Sequence, residues 1–126
     1  MKYILAIIIL LSSIVLNAKH LHKEKYYQKI FCNKMNGVME YTLRDKTRID
    51  CLTSSYAIEV DFANKWAESI GQSLYYGLMT NKKPGILLIM EKPKKDIRYL
   101  KRLKKVVEIQ KIRIWTINKD LVIQVK

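Results

Sequence analysis

With 126 residues and 14.9 kDa, the chain has room for one domain with a modest core. Its 24 lysines and arginines against 11 acids give a net charge of +13. That balance points to a polyanionic partner (nucleic acid, anionic lipid headgroup or cell-wall polymer) unless it serves solubility alone. The four scattered glycines exclude a glycine-rich phosphate loop, and no serine has a histidine placed to activate it, so serine-hydrolase chemistry finds no support.

Lys2, the apolar run Tyr3–Leu16 and the small residue in Asn17-Ala18 predict a signal peptide over residues 1–18, and so an exported protein, periplasmic or secreted. The run is shorter than the about 20 residues of a bilayer span. Leu16, third before the cut, stands where a small residue is preferred, so the alternative is an uncleaved leader that tethers the protein to a membrane. No cysteine follows the run, which argues against a lipid anchor. Cleavage removes one lysine and no acid and leaves +12 on a single domain over 19–126.

Residues 22–35 suit a helix, with Tyr26, Ile30 and either Phe31 or Lys34 at helical spacing and Asn36-Gly37 as its stop. Three strands follow: 38–43, 47–53 and 56–62, joined by the turns at 44–46 and 54–55. Residues 64–81 form the strongest helix, with Trp66, Ile70, Leu74 and Leu78 as its expected buried stripe. After Pro84 and Gly85, 86–90 is apolar on both faces, as an internal strand is. Pro93 opens a basic helix over 94–109 with Ile97, Leu100, Leu103 and Val107 on one side. Residues 112–117 and 121–125 alternate as a closing hairpin. The predicted class is α+β or mixed α/β: a central mixed sheet in the order helix, three strands, helix, strand, then a basic helix and a C-terminal hairpin.

Two cysteines, Cys32 and Cys51, follow the leader. In an oxidising compartment they read as one disulfide; a buried pair of free thiols is the alternative.

The segment 57–62 places Glu59 and Asp61 on one strand face. Alternation in the preceding strand sets Ile49 and Cys51 on one side, with Asp50 and Leu52 on the other. Hairpin pairing then brings Asp50 opposite Glu59. Carboxylates this close raise one another's pKa unless neutralised, and a hard divalent cation is their usual partner. Solvated acids paired with local lysines are the plainer alternative. On the helix that follows, Lys65, Gln72 and Tyr76 lie within roughly 20° of one line at about 100° per residue. A cation, an amide and a phenol beside a metal suit phosphodiester chemistry.

Asp50, then Glu59 on the next strand, then a helix bearing Gln72-Ser-Leu-Tyr-Tyr76, resembles the core of the PD-(D/E)xK nuclease superfamily. The Gln-x-x-x-Tyr spacing resembles its RecB-like branch, and the resemblance covers residues 22 to 90. It implies a restriction-endonuclease-like fold and a metal-dependent nuclease using Mg²⁺ or Mn²⁺. Asp50 and Glu59 would be metal ligands, with Glu24 as a third acid and Glu40 as its alternative. Gln72 and Tyr76 would support the substrate. Two departures stand out: Asp61 occupies the motif's lysine position, so Lys65 on the helix would substitute, and Ile49 replaces the usual proline. Lys94, Lys95, Arg98, Lys101, Arg102 and Lys105 on the basic helix would bind nucleic acid without reading its bases. The competing reading is a non-catalytic module, or degenerate nuclease fold, that binds nucleic acid or an anionic surface.

Overall fold

The computed structural model describes residues 19–126; the predicted signal peptide, residues 1–18, lies outside them. The elements run α1 (Glu24–Lys34), β1 (Val38–Thr42), β2 (Arg48–Leu52), β3 (Tyr56–Phe62), a 3₁₀ turn (Ala63–Lys65), α2 (Trp66–Thr80), β4 (Lys83–Met90), α3 (Pro93–Gln110), β5 (Arg113–Asn118) and β6 (Ile123–Val125). They form a mixed α+β fold around one six-stranded sheet in the order β1-β2-β3-β4-β5-β6. The first three strands are an antiparallel meander. β3, β4 and β5 are parallel, connected through α2 and α3, and β6 closes antiparallel to β5.

α1 covers one face of the sheet. Its Tyr27, Phe31 and Cys32 pack with Ile58, Val60, Leu87, Ile89, Trp115 and Ile117. The buried stripe is therefore Tyr27–Phe31 with Gln28–Cys32, one residue away from the Tyr26–Ile30 line expected, and Tyr26 is exposed. The opposite face carries Ile86, Leu88 and Ile114 against Leu100 and Leu103 of α3 and Trp66, Ile70 and Leu74 of α2. β4 sits between two parallel neighbours, which explains its unbroken apolar run. It starts earlier than expected and takes Pro84 and Gly85 into the strand. A side chain at Gly85 would strike the Trp115 ring at 2.7 Å, so the glycine makes room for that indole.

Two helix faces differ from expectation. Leu78 is 79% exposed, and the residues of α2 buried against the sheet are Ser69, Ser73, Tyr76 and Gly77. Small side chains at four-residue spacing let the helix approach closely, while the Trp66–Leu74 stripe turns to α3. On α3, Leu100 and Leu103 are buried but Ile97 is exposed.

A disulfide joins Cys32 of α1 to Cys51 of β2. Gly37, just after α1, leaves the space it needs: a Cβ there would lie 2.5 Å from Cys51 Sγ and 2.7 Å from Cys32 Sγ. The bond pins α1 to β2 at the residue next to Asp50.

Candidate active site

β2 and β3 pair only at Leu52↔Ala57 and Cys51↔Ile58. At the next position a side chain replaces the ladder: Val60 N–H donates to Asp50 Oδ2 at 2.8 Å. The expected alternation fails here, because Ile49 and Leu52, three residues apart, both pack with Ala57 and Tyr76, whereas Cys51 lies in the other core. The irregularity falls on Asp50. Its carbonyl, left without a strand partner, accepts from Gln28 Nε2 of α1 at 2.8 Å, and the same amide reaches Glu40 Oε1 at 3.2 Å. Glu40 on β1 has φ 54°, so the neighbouring strand is also distorted at this level.

Regular alternation in β3 puts Ala57, Glu59 and Asp61 on the α2 side. Glu59 and Asp61 are only 5% and 6% exposed. Burial, followed by the charges of Asp50 and Asp61, pushes the Glu59 carboxyl well above its usual range. Burial likewise moves Asp50 up to about 6, against the opposing effect of the Val60 N–H bond. The Asp50 charge is one of the causes that raise Glu59, so the two carboxyls titrate as a pair. Asp61 is raised by burial and eased by the Ser69 hydroxyl, which donates to Asp61 Oδ2 at 2.7 Å.

Glu24, at the start of α1, reaches the same cluster, near enough to Asp61 and Asp50 for their charges to act on it. Burial and then the Asp61 and Asp50 charges lift it to about 7, while Lys65 pulls the other way. The alternative third acid, Glu40, lines the same cleft as Glu24 and Asp50 and adds its charge to the causes that raise both, while sitting 3.8 Å from Lys25 Nζ and 3.9 Å from Arg48 Nε.

Lys65 ends the 3₁₀ turn, exposed, beside Asp61 and Glu24 without a direct ion pair to either. Tyr76 is buried, with its hydroxyl near Glu59, Asp50 and Gln72. Burial, then those two carboxylates, raise its pKa. Asp50, Glu59, Glu24, Lys65, Gln72 and Tyr76 thus converge on one neighbourhood. Lys94, Lys95, Arg98, Lys101, Arg102 and Lys105 are all exposed on α3 and form no part of it.

Several residues escaped sequence reasoning. Ser69 is one turn from Lys65, and its hydroxyl oxygen, whose proton goes to Asp61, also lies 3.0 Å from the Lys65 carbonyl. The cleft that opens on Glu24 and Asp50, about 490 Å³, is lined by Lys23, Lys25 and Arg48. Their signal was local: Lys23 and Lys25 flank Glu24, and Arg48 stands two before Asp50.

The donor set suits a hard divalent cation: all its atoms are oxygens, and Glu59 Oε2 is buried without a partner. Among the described residues no three His, Cys, Asp or Glu side chains form a finished metal cage. The hydrogen bonds explain this, since Asp50 is turned onto Val60 N–H and Asp61 onto Ser69. No protein-family model, no curated protein and no solved structure matches the chain.

Proposed function

We propose that the protein is an exported, metal-dependent nuclease of the restriction-endonuclease-like kind, hydrolysing phosphodiester bonds in nucleic acid. The observation that carries the reading is the buried, partnerless Glu59 Oε2 beside Asp50. A cluster of oxygens held together without counter-charge is costly unless a proton or cation offsets it. The element order of a helix, three strands, a helix and a strand supports the same reading. The Cys32–Cys51 disulfide is compatible with export.

Asp50, Glu59 and Glu24 would hold an Mg²⁺ or Mn²⁺ ion, which when bound would offset the acids and the charge of the phosphate. Lys65, exposed beside Asp61, orients the attacking water and stabilises charge as it develops. The Gln72–Tyr76 pair holds a non-bridging phosphate oxygen in place. Water adds to phosphorus, one ester P–O bond breaks, and the leaving oxygen takes up a proton. Lys23, Lys25 and Arg48 along the cleft bind the flanking backbone.

The test is cleavage of plasmid and of single-stranded oligonucleotide by the oxidised domain, with Mg²⁺ or Mn²⁺ and with chelator. Loss of activity in chelator and in both Asp50→Asn and Glu59→Gln is expected. No activity in the wild type, or activity that survives both substitutions, removes the catalytic assignment. A second reading, a non-catalytic nucleic-acid-binding module, is favoured by Asp61 at the motif's lysine position and by the turned-away Asp50 and Asp61. It predicts salt-sensitive binding that is indifferent to metal and to Asp50→Asn.

A further inference from the structure

The cleft at Asp50 and Glu24 continues along the molecule. It shares Lys23 and Glu24 with a shallow trough walled by residues 19–24 and Phe62. That trough shares His20 and Phe62 with a third cavity, set between Asn64 and the start of α3. The three cavities thus follow one another, each bordering the next, along a groove line past the C-terminal ends of β3 and β4.

The third cavity is built from the end of the groove inward. Glu91, buried at the end of β4, anchors its floor: Tyr27 Oη donates to Oε2 at 2.8 Å and Leu21 N–H at 2.8 Å, while His20 Nδ1 lies 2.9 Å from Oε1. His20 is also stacked on Phe62 at 3.4 Å between ring centroids. The second acid, Asp96, accepts from the Lys92 backbone N–H at 3.0 Å. Both carboxylates are therefore supplied with donors. The ammonium groups of Lys92 and Lys95 are not matched: among the described residues neither has a carboxylate within 4.0 Å. At about 220 Å³ the cavity lies below the roughly 300 Å³ at which pockets for whole small molecules begin. It suits one small, acceptor-rich group of a longer chain.

We propose that this cavity is a second phosphate subsite, in which Lys92 and Lys95, with Asn64 beside them, grip a backbone phosphate of the nucleic-acid strand whose scissile phosphate lies at Asp50 and Glu59. The identity of the strand rests on the nuclease reading; the subsite itself needs no cleavage and no metal. It also divides α3, because Lys95 lines the cavity, Arg98 and Arg102 lie over the ring of Tyr99 at its edge, and Lys94, Lys101, Lys104 and Lys105 supply only diffuse attraction.

The experiment is binding of a fluorescein-labelled single-stranded 12-mer oligonucleotide, followed by anisotropy in chelator over a series of salt concentrations. Lys92→Ala/Lys95→Ala is compared with a charge-matched control, Lys34→Ala/Lys83→Ala. Each control lysine lies at the far end of its own element from the groove. The groove pair is expected to weaken Kd about tenfold at low salt and to reduce the salt slope by about 0.7, the value of one single-strand phosphate contact. The control should stay within about twofold, with an unchanged slope. Equal losses in the two double variants, an unchanged slope in the groove pair, or no binding by the wild type would overturn the subsite. If the wild type binds as described but never cleaves with Mg²⁺ or Mn²⁺, the nuclease reading falls and the subsite stands. If it cleaves but the groove pair binds like the wild type, the subsite falls and the nuclease reading stands.

Discussion

In chelator, the stability of this domain should fall as pH rises from 5 to 7, against the direction expected from its net charge of +12. Asp50, Glu59 and Glu24 all have carboxyls raised above their ordinary values. The folded state therefore holds protons that the unfolded chain releases. Stability is fully present below the ordinary carboxylate range and is lost as pH climbs through the raised values. For Asp50, the move from 3.8 to about 6 corresponds to about 3 kcal/mol at roughly 1.4 kcal/mol per unit. Glu59, raised further, extends the loss through neutral pH. One proton retained by the folded state gives about 1.4 kcal/mol per pH unit, and so about 3 kcal/mol between pH 5 and 7. Glu24, partly exposed, adds less than its shift suggests because solvent screens it. Thermal melts followed by circular dichroism, in chelator across this range, should show Tm lower by at least about 10 °C at pH 7. Glu59→Gln, which cannot ionise, should flatten the slope. Mn²⁺ should raise Tm at pH 7 far more than at pH 5, because protons and cation compete for the same oxygens. A Tm that is constant or rises from pH 5 to 7 in chelator, or a slope that survives Glu59→Gln, refutes the view that the uncompensated acids dominate this site.

Lys65→Ala should lower cleavage by about 10²- to 10⁴-fold, the range of a positioned acid–base group, with oligonucleotide Kd in chelator nearly unchanged; a parallel loss of binding would make it a substrate-anchoring lysine instead. Reducing the disulfide, which spans 19 residues, should cost about 3 kcal/mol, measured as a shift in the urea midpoint. An identical midpoint with and without reductant counts against the link between α1 and β2 as a stabilising clamp. Gly37→Ala should leave two titratable thiols, since the new methyl would occupy the space of both sulfurs. Gly71→Ala, with nothing within 4 Å of its Cβ in the interior of α2, should instead stabilise by about 0.5–1 kcal/mol. Denaturant melts that rank the two glycines the other way would contradict the packing described for them.

Much of the architecture was legible because it is written in local periodicity. The alternation of 56–62 marks β3 and sets Glu59 and Asp61 on one side. The uninterrupted apolar run of 86–90 marks an internal strand, and Gln72 and Tyr76 share a helix line at four-residue spacing. The disulfide needed only two cysteines on adjoining elements. The faces of α1 and α2 were harder, for a physical reason. Hydrophobicity marks what can be buried, but Ser69, Ser73 and Gly77 meet the sheet because they are small, and Leu78 is left to solvent.

By itself the sequence determined the order of the elements, the meander followed by an internal strand, the acidic face of β3 and the basic helix. Each of these depends on the spacing of residues within about a dozen positions, which is where helix and strand periods operate. Only the tertiary structure decided that the β2–β3 ladder breaks at Asp50, where a carboxylate takes the place of a backbone carbonyl at Val60 N–H. It alone brought Glu24 to the acids and set Glu40 on the same cleft, between Lys25 and Arg48. It alone anchored residues 20–22 on Glu91, some 70 positions away. Those outcomes are competitions between partners distant in the chain, settled by which buried group finds a donor, and no local pattern encodes them.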